Sequence, residues 1–304
     1  MLAYAAHVAE HQVRVAPIPT WVDVERLLGP SGSADPWRVT VLDDGSREAR
    51  ASLSSEAAAD LGARLRGIGL DGRAIACTIE PPLRRAIVRR ARTEDARRRR
   101  ATTPGFERPG VRLDEEGRWS LTPERLALRI AGTAAHAPII DAGCGLGGNA
   151  IAFARAGCRV VAIEADAARL ALARHNAEIY QVADRIRFVH GDAVELAAEL
   201  GSRDAILYVD PPWGRDWDRE RCGLADLPLL ASLLPIATSG YAALWAKVPP
   251  SFATAELPDA VPEAWFGEAE GDRRRIKFVL LRKTTERRPR CAILPTCGES
   301  APRG

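Results

Sequence analysis

Residues 138–149 read Pro-Ile-Ile-Asp-Ala-Gly-Cys-Gly-Leu-Gly-Gly-Asn, an apolar run that ends in the carboxylate of Asp141 and opens into glycines at 143, 145 and 148. The spacing is G-x-G-x-x-G, which lets a backbone turn tightly between a strand and a helix and approach a ligand without interference from Cβ. Working outward, apolar and β-branched runs at 138–142, 159–164, 185–190 and 205–210 alternate with helical stretches at 147–156, 166–180 and 192–201. Such alternation implies βαβ units and a parallel, doubly wound sheet. The pattern continues with a helix over 227–236, a strand over 240–248, a short helix near 251–256, and strands over 264–269 and 275–283 joined by Glu270-Gly-Asp-Arg. This last pair reads as an antiparallel hairpin at the sheet edge.

Upstream, residues 1–83 mix short alternating runs with turn signals and predict a small α+β domain. Trp37 to Leu42 reads as a strand, Asp43-Asp-Gly-Ser as a turn, and Arg47 to Leu53 as a second strand. Ser54 opens a helix to about Arg66, and Ala74 to Glu80 forms another strand before Pro81-Pro82. A basic helix and linker follow over 84–109, then the main α/β domain over 110–283. The tail at 284–304 is polar and proline-containing, and is expected to be flexible.

The 304 residues are 46% hydrophobic and 27% charged, the composition of a soluble globular chain with room for one large or two unequal domains. No run of about 18 uncharged apolar residues and no signal-like N-terminus is present, so neither a membrane span nor secretion is expected. The six cysteines are scattered without a C-x-x-C pair or zinc spacing; they read as reduced thiols of a cytoplasmic protein, with no metal site. Nine arginines between Arg84 and Arg100 stand against Glu94 and Asp95, so this stretch carries +7 in a chain of net charge +3. A local excess of that size is the footprint of a phosphate-binding surface. The alternative is a solvated helix face in a chain whose Ala- and Arg-rich composition fits GC-biased coding.

The glycine loop leaves NAD and S-adenosylmethionine both open as cofactors. Glu164, about 20 residues on at the end of the second strand, can accept hydrogen bonds from a ribose diol in either case. Asp141 discriminates: a carboxylate two residues before the first glycine would repel a pyrophosphate, whereas it suits the cationic amino group and sulfonium of S-adenosylmethionine. Asp192, at the end of the third strand, can accept from an adenine amino group. Seven strands ending in a hairpin also suit the Rossmann-like sheet of a class I methyltransferase better than a six-stranded dinucleotide fold.

The fourth strand ends in Asp210-Pro211-Pro212-Trp213-Gly214, at the sheet edge where ligands react in open α/β folds. An exocyclic base amine is a poor nucleophile because its lone pair is delocalised into the ring. A carboxylate and a backbone carbonyl accepting its N–H bonds favour the reactive geometry, two prolines preorganise the turn, and the tryptophan stacks on the flat base. Asp210, Pro211, Pro212 and Trp213 are therefore the candidate catalytic residues. Standing alone, the turn could equally be a strand terminator with a buried tryptophan.

The segments GVRLDEEGRWSLTPE (110–124), DAGCGLGGNAIAFA (141–154), VVAIEADAARLALARHNAEIY (160–180), HGDA (190–193) and DPPWG (210–214) together resemble the trimethylguanosine synthase family, the RNA cap guanine-N2 methyltransferases. The resemblance implies S-adenosylmethionine-dependent transfer to the N2 amine of a guanine in RNA. It implies cofactor contacts from Thr122, Pro123, Glu124, Asp141, Gly143, Gly145, Gly148, Glu164 and Asp192, and substrate contacts from Asn176 and Trp213. The family commonly has serine where Asp210 stands. A full negative charge there would attract a cationic 7-methylguanine and equally suits enzymes that methylate adenine. The expectation is an RNA guanine-N2 methyltransferase whose Arg84–Arg100 run grips phosphates. Its alternatives are an adenine-N6 or other nucleobase-amine methyltransferase on DNA or RNA, an NAD(P)-dependent oxidoreductase, and a non-catalytic nucleic-acid-binding module.

Overall fold

The computed structural model describes residues 10–31, 36–213 and 217–285. Gly214 and all but the first two residues of the expected tail lie outside that range. The N-terminal unit contains β1 (Glu10–Ile18), α1 (Val24–Leu28), β2 (Arg38–Val41), β3 (Arg47–Ser54), α2 (Ser55–Leu65), β4 (Gly69–Leu70), β5 (Arg73–Ala74) and β6 (Ala76–Glu80). Four of these strands form an antiparallel sheet in the order β2-β3-β1-β6. Ser54 caps α2 by accepting from the backbone N–H of Ala57 at 3.3 Å, as serine does at a helix start. Val13, Val15, Leu53, Leu61 and Leu65 fill the core beneath the sheet. The central strand β1 and helix α1 are absent from the sequence reading. β1 alternates exposed and buried residues from Glu10 to Val15, but a proline interrupts it, and its ladders run to partners about 40 and 70 residues away.

The chain continues through α3 (Arg85–Arg98), α4 (Gly117–Ser120), α5 (Glu124–Gly132), β7 (Ile139–Ala142), α6 (Gly148–Arg155), β8 (Val160–Glu164), α7 (Ala167–Ile179), β9 (Ile186–His190), α8 (Ala193–Glu199) and β10 (Ile206–Val209). It closes with α9 (Pro228–Gly240), β11 (Ala243–Val248), β12 (Val261–Phe266) and β13 (Ile276–Thr284). The large sheet has the order β12-β13-β11-β10-β7-β8-β9. Its five strands from β11 to β9 are parallel, and β13 runs antiparallel between β11 and β12. An antiparallel seventh strand inserted beside the fifth is the arrangement of the class I methyltransferase fold. The chain winds outward from β7 to β9 and then from β10 to β11, so the topological switch point lies between β7 and β10.

Two boundaries differ from the sequence reading. β12 begins at Val261 and ends at Phe266, where a strand over 264–269 was expected. Residues 267–272 are taken instead by a turn in which the buried carboxylate of Asp272 accepts from the N–H of Ala269 at 3.0 Å and from both N–H and hydroxyl of Thr103 at 2.8 Å. α9 runs on to Gly240, so β11 starts only at Ala243.

The two units are docked through backbone. Gly69 N–H donates to the carbonyl of Arg219 at 2.7 Å, Gly72 N–H to Ser251 at 3.0 Å, and the Asp71 carboxylate accepts from the N–H and hydroxyl of Thr254 at 2.8 Å each. Phe266 from β12 enters the core of the N-terminal unit. Among the described residues, no helix is long and apolar enough to cross a membrane, and no group of three or more His, Cys, Asp or Glu could hold a metal ion.

Candidate active site

A cleft of about 200 Å³ opens at the C-terminal ends of β7 and β10, walled by the glycine loop, Glu164, the D-P-P-W turn and residues 119–122. The loop is tight: Gly143, Gly145 and Gly147 have φ of +86°, +55° and +82°. Gly147, outside the G-x-G-x-x-G spacing, is the left-handed N-cap of α6. Gly148 serves differently. A Cβ there would lie 2.8 Å from Leu121 Cδ2, so the missing side chain lets the 121–122 segment close over the loop. Glu164 lines the cleft and is fixed by the N–H of Gly145 at 2.8 Å and of Asp166 at 3.0 Å.

Asp141 lies fully buried at the end of β7, beneath the loop rather than on the cleft wall, and among the described residues neither of its carboxylate oxygens has a hydrogen-bond partner. Burial first, then the neighbouring charges of Asp210 and Glu164, push its carboxyl up to about 8. An orphaned carboxylate under a cleft that Glu116, Glu164 and Asp210 also line makes an acidic site. Among the described residues the one guanidinium on its wall, Arg169, is paired with Asp114 at 3.0 Å and Glu116 at 3.2 Å. This donor set fits a cationic ligand such as S-adenosylmethionine and opposes a pyrophosphate.

Asp210 is the best-anchored group of the site. Its Oδ2 accepts from Lys247 Nζ at 2.7 Å, Asn149 Nδ2 at 3.0 Å and Thr122 Oγ1 at 3.3 Å, while Oδ1 takes no donor from the described residues. Lys247 also donates to Thr122 Oγ1 at 3.0 Å, and its ammonium stands 5.3 Å from the centre of the Trp213 ring. Trp213 is half-buried on the cleft wall and stacks against Trp217 at a ring separation of 6.0 Å and an angle of 22°. Pro211 and Pro212 shape the same wall.

Thr122 is thus brought to the site, but Glu124, Asn176 and Asp192 are not on the cleft wall. Glu124 accepts from the Tyr180 hydroxyl, the N–H of Glu107 at 2.7 Å and the Arg155 guanidinium. Burial would raise its carboxyl, yet these bonds hold it below the usual range and make it a tie between α5, α6 and α7. Pro123, buried, is the N-cap residue of α5. Asn176, fully buried, accepts from the N–H of Arg112 at 2.8 Å and donates to the carbonyls of Arg112 at 3.0 Å and Leu146 at 3.2 Å, pinning residue 112 to the glycine loop. Asp192 caps α8 by accepting from the N–H groups of Val194 and Glu195 at 2.8 and 3.0 Å. Lys247, Asn149 and Trp217 escaped the sequence reading. Lys247 left a signal, since a charged residue within Ala-Leu-Trp-Ala-Lys-Val, in a chain with three lysines, needs a buried partner.

Fold and site together define a class I S-adenosylmethionine-dependent methyltransferase domain. Within that class, residues 136–221 match the family of RNA cap guanine-N2 methyltransferases, which bears out the resemblance over this stretch. Trimethylguanosine synthase from Schizosaccharomyces pombe is 38% identical over 113 residues, 34% of this chain and 47% of that protein. A probable cobalt-precorrin-6B C(15)-methyltransferase from Pyrobaculum calidifontis is 37% identical over 111 residues, 34% of this chain and 54% of that protein. The chain therefore spans about half the length of these curated relatives. Among solved structures, a predicted N6-adenine-specific DNA methylase from Listeria monocytogenes aligns over 91% of this chain and 97% of its own, with 12% identity and a TM-score of 0.45.

Proposed function

We propose that this protein transfers a methyl group from S-adenosylmethionine to the exocyclic amine of a nucleobase, guanine N2 in RNA. The observation that carries the reading is the half-anchored carboxylate of Asp210: Oδ2 is held by Lys247, Asn149 and Thr122, leaving Oδ1 for a substrate N–H beside the Trp213 ring. S-Adenosylmethionine, when bound, supplies an electrophilic methyl group. The glycine loop, Glu164 and the acidic field of Asp141 would hold that cofactor. Asp210 Oδ1 orients the amine, and Trp213 holds the base plane so that attack proceeds in line with little prior proton transfer. The match to the guanine-N2 family supports the base and RNA as its carrier, with the Arg84–Arg100 helix adding phosphate contacts.

Lys247 modifies one expectation. Paired at 2.7 Å, it offsets the charge of Asp210, so the carboxylate acts as a positioned acceptor rather than as a bare attraction for a cationic 7-methylguanine. Aspartate in place of the family's serine keeps adenine N6 as the second reading. Transfer of labelled methyl groups onto total RNA and total DNA, followed by mass spectrometry of the nucleosides, tests both. N2-methylguanosine from RNA is expected; N6-methyladenine would replace the base, and no methylated nucleoside would refute the activity. Trp213→Ala is expected to lower kcat/KM by about 10–100-fold, the worth of one base stack. It should leave S-adenosylhomocysteine binding nearly intact; a collapse of that binding would overturn the stacking role.

A further inference from the structure

Four of the nine arginines between Arg84 and Arg100 are paired: Arg90 with Glu56, Arg97 with Glu94, Arg98 with Asp60 and Glu94, and Arg99 with Asp95. Positive charge gathers again where the end of this helix meets other segments. Beside the seam between the two units lies a second cleft of about 230 Å³, with Leu27, Leu65, Leu70 and Ile276 among its apolar lining. Arg64, Arg99, Arg219, Arg274, Arg275 and Lys277 also line it, and among the described residues no Asp or Glu does. These cations come from four separate places: the end of α2, the end of α3, the loop that follows the D-P-P-W turn, and the β12–β13 connection with the start of β13. A biased composition scatters arginines; it does not converge them from four segments on one wall.

Two nearby carboxylates pair with cations of this wall, Asp95 with Arg275 and with Arg99 at 2.9 Å, and Asp272 with Lys277 at 3.2 Å. Arg64 donates to the carbonyls of Leu27 and Leu28, at the end of α1. Gly29 makes room for Arg274, since a Cβ there would fall 2.0 Å from its Nη1. Burial, with Arg274 and Arg275 close by, pushes the Arg64 guanidinium down to about 10. Cations held this near one another are stabilised by an anion placed among them.

The second cleft also touches the first. Trp217 lines it and stacks on Trp213, which lines the cleft of the glycine loop. A cationic groove that leads to stacked aromatic rings is how single-stranded nucleic acid is held, with phosphates in the groove and a base on a ring. We propose that this second cleft binds the phosphodiester backbone of the single-stranded RNA whose target base enters the first. The inference rests on the proposed function and names the surface that delivers its substrate.

The test is fluorescence anisotropy of a labelled single-stranded RNA of about 12 nucleotides, a length typical of such grooves, titrated with the full-length protein at several salt concentrations. Arg219→Ala/Arg274→Ala is expected to weaken binding about tenfold or more and to lower the salt slope by about 1.4, two contacts at about 0.7 each. Arg187→Ala/Arg203→Ala removes the same charge from exposed positions on β9 and before β10, remote from the cleft, and should change neither. Equal losses from both pairs, no loss from the first pair, or a wild-type protein that does not bind RNA would each overturn the inference. So would a poly-glutamate peptide of equal charge competing as well as unlabelled RNA, which would make the cleft an acidic-peptide site. Methylation of RNA with an unchanged KM in the cleft variant sinks the cleft alone, whereas cleft-dependent RNA binding without any methylated nucleoside sinks the proposed function alone.

Discussion

Lys247 and Asp210 illustrate how the residue scale decides the chemistry. Lys247 is 3% exposed and Asp210 15%, so each removes a partly desolvated charge from its neighbour. Replacing one partner leaves the other uncompensated, a loss of about 3–5 kcal/mol for a buried pair. Lys247→Met should therefore destabilise the fold strongly in urea denaturation, and adding Asp210→Asn should restore much of that stability while leaving turnover abolished. A double variant less stable than Lys247→Met would show that the pair is not what Lys247 provides. Asp141 yields a pH prediction. Its carboxyl ordinarily titrates near 3.8 and stands at about 8 in the fold, so between those values the folded chain holds a proton that the unfolded chain has lost, and this contribution to stability falls as pH rises. A cation entering the cleft favours the ionised form. Binding of S-adenosylmethionine near neutral pH should thus release protons and tighten as pH rises towards 8, measured by calorimetry in buffers of different ionisation enthalpy. Asp141→Asn should remove both effects; persistent proton release would assign them to another group.

At the scale of elements, strands and helices in the 138–248 region were readable because each is short, periodic and bounded by glycine, aspartate or proline. β1 was not, because a strand in an antiparallel sheet is defined by ladders to β3 and β6 that local pattern does not contain. The same limit separated the site residues. Glycine, Asp141 and Glu164 announce themselves by spacing around one turn, whereas Lys247 meets Asp210 only because β11 lies beside β10. Asn176 shows the same limit, since an amide on a helix face looks the same in sequence whether it meets a ligand or a backbone; here both ends of the amide hold backbone. The β4–β5 turn carries the clearest prediction of this scale. A Cβ at Gly69 would lie 2.1 Å from the carbonyl oxygen of Glu220, so Gly69→Ala must push the turn away from the loop that bears Trp217 and Arg219. We expect a lowered Tm and weaker RNA binding with S-adenosylhomocysteine affinity retained; unchanged RNA affinity would show that docking of this turn does not shape the second cleft.

For the whole molecule, the N-terminal unit is joined to the sheet at the side where the D-P-P-W turn continues into the docking loop. That placement gives the unit a reason to exist beside a methyl-transfer domain that has its own core: it completes a cationic wall next to the site. The charge of the Arg84–Arg100 run is countable in sequence. Pairing across elements is not, and Glu56 and Asp60 meet Arg90 and Arg98 only after folding.

By itself the sequence determined the class of sheet, the glycine turn and the D-P-P-W turn at the end of the fourth strand, since each is a local arrangement of a few residues with its own steric or electrostatic requirement. Only the tertiary structure decided which of the named residues line the cleft and which are bonded elsewhere in the fold. It also supplied the lysine that fixes Asp210 and drew arginines from four segments into one cleft. The physical reason is that charge neutralisation, hydrogen-bond saturation and burial are properties of neighbours in space, and these neighbours come from strands and turns far apart along the chain.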